Sequence, residues 1–79
     1  MSADMVNHPP HYTDGPPCPN CGKPIECITI TRRLGFNVGN AIKYLWRAGR
    51  KGDARKQVED LRKAAWYCND EADTIEAAL

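Results

Sequence analysis

Long apolar runs are missing from this chain. Nowhere do about 18 apolar residues follow one another, so no membrane-spanning helix is expected. Net charge is almost missing too. Eleven basic and ten acidic residues leave a formal charge of +1, so overall charge argues neither for nor against a polyanionic partner. The opening residues, MSADMVNHPPHY, hold no apolar segment of a secretory leader, and none is expected. The four cysteines are therefore read as reduced, with metal binding or burial outranking disulfides. Proline is absent beyond residue 24: all six, at positions 9, 10, 16, 17, 19 and 24, precede Ile25. No G-x-x-x-x-G-K-[ST] occurs, which removes the phosphate-cradling P-loop. Gly39, Gly49 and Gly52 have no dinucleotide-binding spacing and no strand before them. A single domain of 79 residues is small, and a core of that size supplies only about 3–5 kcal/mol unless a metal, disulfides or oligomerisation helps.

The proline distribution divides the chain. Residues 1–24 read as an irregular arm, because proline removes backbone donors and fixes φ. Residues 25–79 read as a helical domain, so the fold expected is all-α: a short helix, an amphipathic basic helix and a long C-terminal helix behind a proline-rich arm. Residues 25–34 are the ambiguous stretch. The β-branched ITIT favours a strand, but no partner hairpin is present, so a short helix ended by Gly35 is expected.

A second helix is expected over residues 38–50, capped by the side-chain oxygen of Asn37 and stopped by Gly52. At 100° per residue, Val38, Ala41, Ile42, Leu45 and Ala48 share one broad face. Asn40, Lys43, Tyr44, Arg47 and Lys51 share the opposite one, which carries no acid. Asp53 is placed to cap a third helix over residues 54–78. There Val58, Leu61, Ala65, Cys68, Ala72, Ile75 and Leu79 alternate in spacings of three and four, an a/d seam whose small members would let another helix come close. Such a seam predicts a homo-oligomer unless the rest of the chain covers it. Trp66 and Tyr67 lie off the seam and need a second partner, with the basic helix, the arm, another subunit or a ligand as candidates.

Three constellations carry possible chemistry. The first is the basic stretch with Lys43, Arg47, Arg50 and Lys51, interleaved with Asn40 and Tyr44. Lysine and arginine hold phosphate oxygens, tyrosine stacks or hydrogen-bonds, and asparagine reads a base or sugar edge, so a phosphate-bearing ligand is expected in place of a merely solvated face. The second is NHPPHY, where two prolines stiffen the backbone between His8 and His11, a pair suited to metal ligation, phosphate contact or proton transfer. The third is CPNCGKP. Its Cys18 and Cys21 have the spacing that puts two thiolates on one structural zinc. The other half of such a site could be His8 with His11, or Cys27, or Cys68, although Cys68 on the seam reads better as a small core residue.

VNHPPHY, IECI, FNVGNAIKYLWRAGRKGD and VEDLRKAAWY together resemble the SaV-like family of small bacteriophage proteins, often labelled phage nucleotide kinases. The resemblance runs from Val6 to about Glu71 and is most specific at the G-N-A-I-K-Y-x-W-R core. It implies a protein of the cytoplasm of an infected bacterium, acting in nucleotide metabolism. His8, His11 and Tyr12 would close over a ligand held by Asn40, Lys43, Tyr44, Arg47, Arg50 and Lys51. A nucleoside-monophosphate kinase of this kind would use magnesium with its nucleotide. The rival classes are a protein that sequesters nucleotides without chemistry and, less favoured, a nucleic-acid-binding module. The chain departs from the family pattern at GPPCPNCGKP, so the cysteine pair is not part of the shared function.

Overall fold

The computed structural model describes residues 15–79, and these form an all-α unit. Three helices follow one another: α1 over Cys27–Thr31, α2 over Phe36–Arg47 and α3 over Ala54–Ala78. Ahead of them, residues 15–25 fold back on themselves. The Cys18 amide donates to the Lys23 carbonyl at 2.8 Å, the Ile25 amide to the Pro16 carbonyl at 2.9 Å, and Pro17 bridges Pro24. The β-branched segment is helical, as expected, but only for five residues. Its end is a pair of turns in which the amides of Arg33 and Leu34 donate to the carbonyls of Ile30 and Thr31.

Helix α2 begins two residues earlier than the sequence suggested. Gly35 occupies the capping position in extended backbone, and its carbonyl accepts the Gly39 amide at 2.8 Å. Asn37 is therefore not a cap. It lies in the first turn and donates across to Asp70 Oδ2 at 2.9 Å and Glu71 Oε1 at 3.1 Å. The helix also stops earlier. Ala48 (φ −56°, ψ 124°) and Gly49 (φ 80°) make a type II turn closed by the Arg50 amide on the Arg47 carbonyl at 2.9 Å. Gly49, not Gly52, ends α2, because a positive φ is needed there. Helix α3 matches its expected bounds, with the Asp53 carboxylate accepting from the Lys56 amide at 3.0 Å.

Helices α2 and α3 pack as an antiparallel hairpin, pinned at one end by Asn37 on Asp70 and Glu71 and at the other by Arg47 on Asp60. Among the described residues the buried apolar side chains are few: Cys27, Ala41 and Ala64. Gly39 is buried on the side of α2 that meets α1. A Cβ there would sit 3.3 Å from the Thr31 carbonyl, so the missing side chain is what lets α1 come so close.

The row of α3 that faces α2 is Asp60, Ala64, Tyr67 and Glu71, which leaves the a/d seam outside the hairpin contact. Val58, Leu61 and Ile75 on the seam are 48%, 46% and 54% exposed, and Cys68 is exposed too, so it is no core residue. The polar row wins because its acids find partners across the hairpin. Asp60, 0% exposed, accepts from Arg47 Nη2 at 2.6 Å and Nε at 3.2 Å, with Lys56 Nζ 3.8 Å away.

Candidate functional site

The hairpin has two distinct sides, and the antiparallel packing decides which residues share each. Stepping one residue forward from the facing rows leads to the same side on both helices: Val38 and Leu45 from α2, Leu61, Ala65, Cys68 and Ala72 from α3. Stepping one residue back leads to the other side, with Phe36 and Lys43 from α2, and Glu59, Lys63, Trp66 and Asp70 from α3. One side is apolar, and the other is cationic and aromatic.

The second side is built around Tyr44. Its ring stacks on Tyr67 with centroids 5.8 Å apart and planes 11° from parallel. Three cations surround that ring: Arg47 at 4.8 Å, Lys43 at 5.1 Å and Lys63 at 5.3 Å from its centroid. Phe36 and Trp66 pack edge-on against Tyr67 at 5.9 Å and 5.1 Å, and both remain well exposed. Tyr67 thus finds the basic helix, one of the partners the sequence offered it. Lys63, on α3, was missed by reading the basic helix alone. Its signal is its place four residues before Tyr67 and four after Glu59.

The cations are not equivalent. Arg47 is 12% exposed and bound to Asp60, so it serves the helix contact first and does not lie on an open face. Lys63 is held by Glu59 at 2.8 Å, and Lys56 reaches the same carboxylate at 3.2 Å. These hydrogen bonds, Lys63 first, hold the Glu59 carboxyl below its usual range and raise the Lys63 ammonium above its own. Lys43 has no carboxylate in ion-pair range among the described residues. It stands at the edge of an open groove of about 200 Å³ lined by Ile28, Arg32, Phe36, Gly39 and Asn40 among others. The Asn40 amide donates to the Phe36 carbonyl at 2.8 Å, leaving its side-chain oxygen available. Arg50 lies 5.7 Å from the Trp46 ring in the turn after α2, and Lys51 is exposed beyond it, so neither joins the Tyr44 group. Tyr12, His8 and His11 lie outside the described residues.

The cysteine pair forms a tight turn. The Gly22 amide donates to the Cys18 carbonyl at 2.8 Å. Amide hydrogen bonds from Asn20 and then Cys21 hold the Cys18 thiol below its usual range. A thiol held down in this way gives up its proton more readily. Cys27 is buried, loss of water raises its thiol, and it does not join Cys18 and Cys21 in a group of metal-ligating side chains among the described residues. No group of three or more metal-ligating side chains occurs among the described residues. No helix among them is long and apolar enough to cross a membrane.

A family model described as a protein of unknown function, DUF3310, matches residues 6–69. The chain belongs to the DUF3310 family. The Gene 1.7 protein of Enterobacteria phage T3 is similar to it, 34% identical over 62 residues. Those residues make up 78% of this chain but 38% of the phage T3 protein, so this DUF3310 chain spans well under half of that relative. Phage origin is thereby supported. Neither description mentions a nucleotide or a kinase, so the kinase label implied by the resemblance gains nothing from them. No solved structure matches the chain.

Proposed function

We propose that the chain binds a nucleotide, or another phosphate-bearing small molecule, on the cationic and aromatic side of the hairpin, in the cytoplasm of the phage's host. The observation that carries this reading is the grouping of Lys43, Arg47 and Lys63 about Tyr44, beside exposed Phe36 and Trp66. Cations next to exposed aromatic rings suit a ligand with a charged end and a flat end. Lys43 and Arg32 at the groove would take the phosphate, and Phe36 would meet the base or sugar. At about 200 Å³ the groove is below the roughly 300–1,000 Å³ usual for an enclosing site, so it would grip part of a nucleotide and leave the rest in water. His8, His11 and Tyr12, with the proline-stiffened backbone between the two histidines, are the residues proposed to complete the enclosure.

Sequestration fits the described residues better than phosphoryl transfer. Transfer needs acids placed to hold a metal on the phosphates, whereas Asp60 is committed to Arg47, Glu59 to two lysines, and Asp70 and Glu71 both accept from Asn37. Calorimetry with nucleoside monophosphates, ATP and inorganic phosphate tests the binding. Lys43→Ala is expected to weaken it by about tenfold or more, the worth of a charged hydrogen bond. Unchanged affinity would remove the reading. Turnover of a nucleoside monophosphate with ATP and magnesium would move it to the kinase class. Steeply salt-dependent binding without preference for mononucleotides would move it to nucleic acid.

A further inference from the structure

Along α3 the apolar side of the hairpin has no partner within the described residues, and on α2 only Leu45 has one near it, Pro16, with which it lines a cavity of about 340 Å³. Val38 and Leu45 on α2 continue the α3 row of Val58, Leu61, Ala65, Cys68, Ala72 and Ile75 on the same side, and the large members are about half exposed. At 1.5 Å per residue the row from 58 to 79 is about 30 Å long. With the two helices side by side the face is roughly 15–20 Å wide, which gives about 1,000 Å² buried in total if it meets its own copy, the lower end for a stable interface.

Charge says which way round. Beside the seam, on the edge away from α2, lie Arg55, Arg62, Asn69 and Glu76, seven residues apart. Arg62 and Glu76 are exposed and have no ion-pair partner among the described residues. Beyond Lys63, α3 carries only acids: Asp70, Glu71, Asp73 and Glu76. We infer that two copies of this chain pair through α3 in an antiparallel, two-fold arrangement, the basic first half of each helix beside the acidic second half of the other. Flanking positions of this kind pair with themselves in antiparallel helices, so Arg62 meets Glu76 of the second copy, twice, and Asn69 meets Asn69 near the axis. The small residues Ala65, Cys68 and Ala72 sit in the middle, where the helices approach most closely. A parallel pair would instead set Glu71 beside Glu76. This assembly leaves the Tyr44 side open on both copies, and it does not depend on the ligand proposed there.

Sedimentation equilibrium on the full chain tests it. A dimer is expected at high-micromolar concentration, and a monomer under those conditions overturns the proposal, whatever else covers the face. Ile75→Asp should weaken the dimer by more than about tenfold. The folded monomer should survive, because Ile75 is not part of the core, and circular dichroism checks this. Arg62→Glu and Glu76→Arg should each weaken it by about fivefold, and the double swap should restore it. A dimer that Glu76→Arg strengthens would be parallel, and would overturn the arrangement.

Discussion

The two sides of the α2–α3 hairpin are made from the same two helices, yet different forces shape them. On one side Tyr44 and Tyr67 stack, three cations crowd one ring, and Arg47 reaches through to Asp60. On the other, the aliphatic side chains of α3 stand about half in water. The usual order, apolar row inward and charged row outward, is broken. What holds these helices together is a thin stripe of alanine backed by paired polar groups. A buried ion pair of this sort is not a strong source of stability by comparison with packed hydrocarbon. It does fix alignment, because only one register brings Arg47 to Asp60 while Asn37 reaches Asp70 and Glu71.

The sharpest way to break the comparison is at that pair. Arg47→Ala leaves Asp60 buried and without its main partner, and should cost about 3–5 kcal/mol in denaturant unfolding. Arg47→Met together with Asp60→Leu should recover most of that loss. The pair also explains why Arg47→Ala is a poor probe of ligand binding: it would unfold the site it is meant to test. Phe36→Ala separates the two roles. Its ring is exposed, so unfolding should change little, whereas nucleotide affinity measured by calorimetry should fall by about 1–3 kcal/mol if a base stacks there.

The cysteine turn belongs to neither side, and its perturbation sharpens the contrast by leaving both alone. Protein purified without chelator is expected to carry about one zinc per chain, measured by elemental analysis and lost in Cys18→Ser. Hairpin unfolding should shift by no more than about 0.5 kcal/mol. Retention of zinc in Cys18→Ser would take the metal away from this turn. The smallest expected effect comes from acid. Glu59 has its pKa lowered on folding, first by Lys63 and then by Lys56. Its contribution is therefore complete above the ordinary carboxylate range and is lost as pH falls through the depressed value. The melting temperature should decline slightly more steeply on acidification than that of Glu59→Gln, and high salt should erase the difference because the pair is exposed.

Much of this arrangement was readable beforehand, and the failures have physical causes. The third helix was legible end to end because Asp53 is a strong cap and nothing interrupts the next 25 residues. The start of α2 was not, because Gly35 can take the capping position by backbone alone while Asn37 is drawn to acids 33 and 34 residues away. The inward row of α3 was illegible for a similar reason. Asp60 and Glu71 look like solvent residues until Arg47 and Asn37 are set opposite them, and pattern along one helix cannot see the other. Of the expected site, Lys43, Tyr44 and Arg47 do gather with Asn40 close by, but Arg50 and Lys51 fall in the turn because Gly49 ends the helix three residues before Gly52. Lys63 entered from a helix that sequence reading had assigned to assembly.

The type II turn at Ala48 and Gly49 also bears on how the chain reaches this state. It brings Arg47 and Asp60 together across only 13 residues, and the closing cost of a segment grows slowly from a small base when it is that short. Contacts so local in sequence favour rapid folding. The hairpin should therefore assemble as a unit early. Residues 15–25 would dock afterwards, where Gly15 passes so close to Trp46 that a Cβ would lie 2.6 Å from its ring. Trp46, which that docking covers, and Trp66, which stays in water, would then report separate kinetic phases: a burst of helix signal first, and a slower change in indole emission from the tryptophan that is covered last.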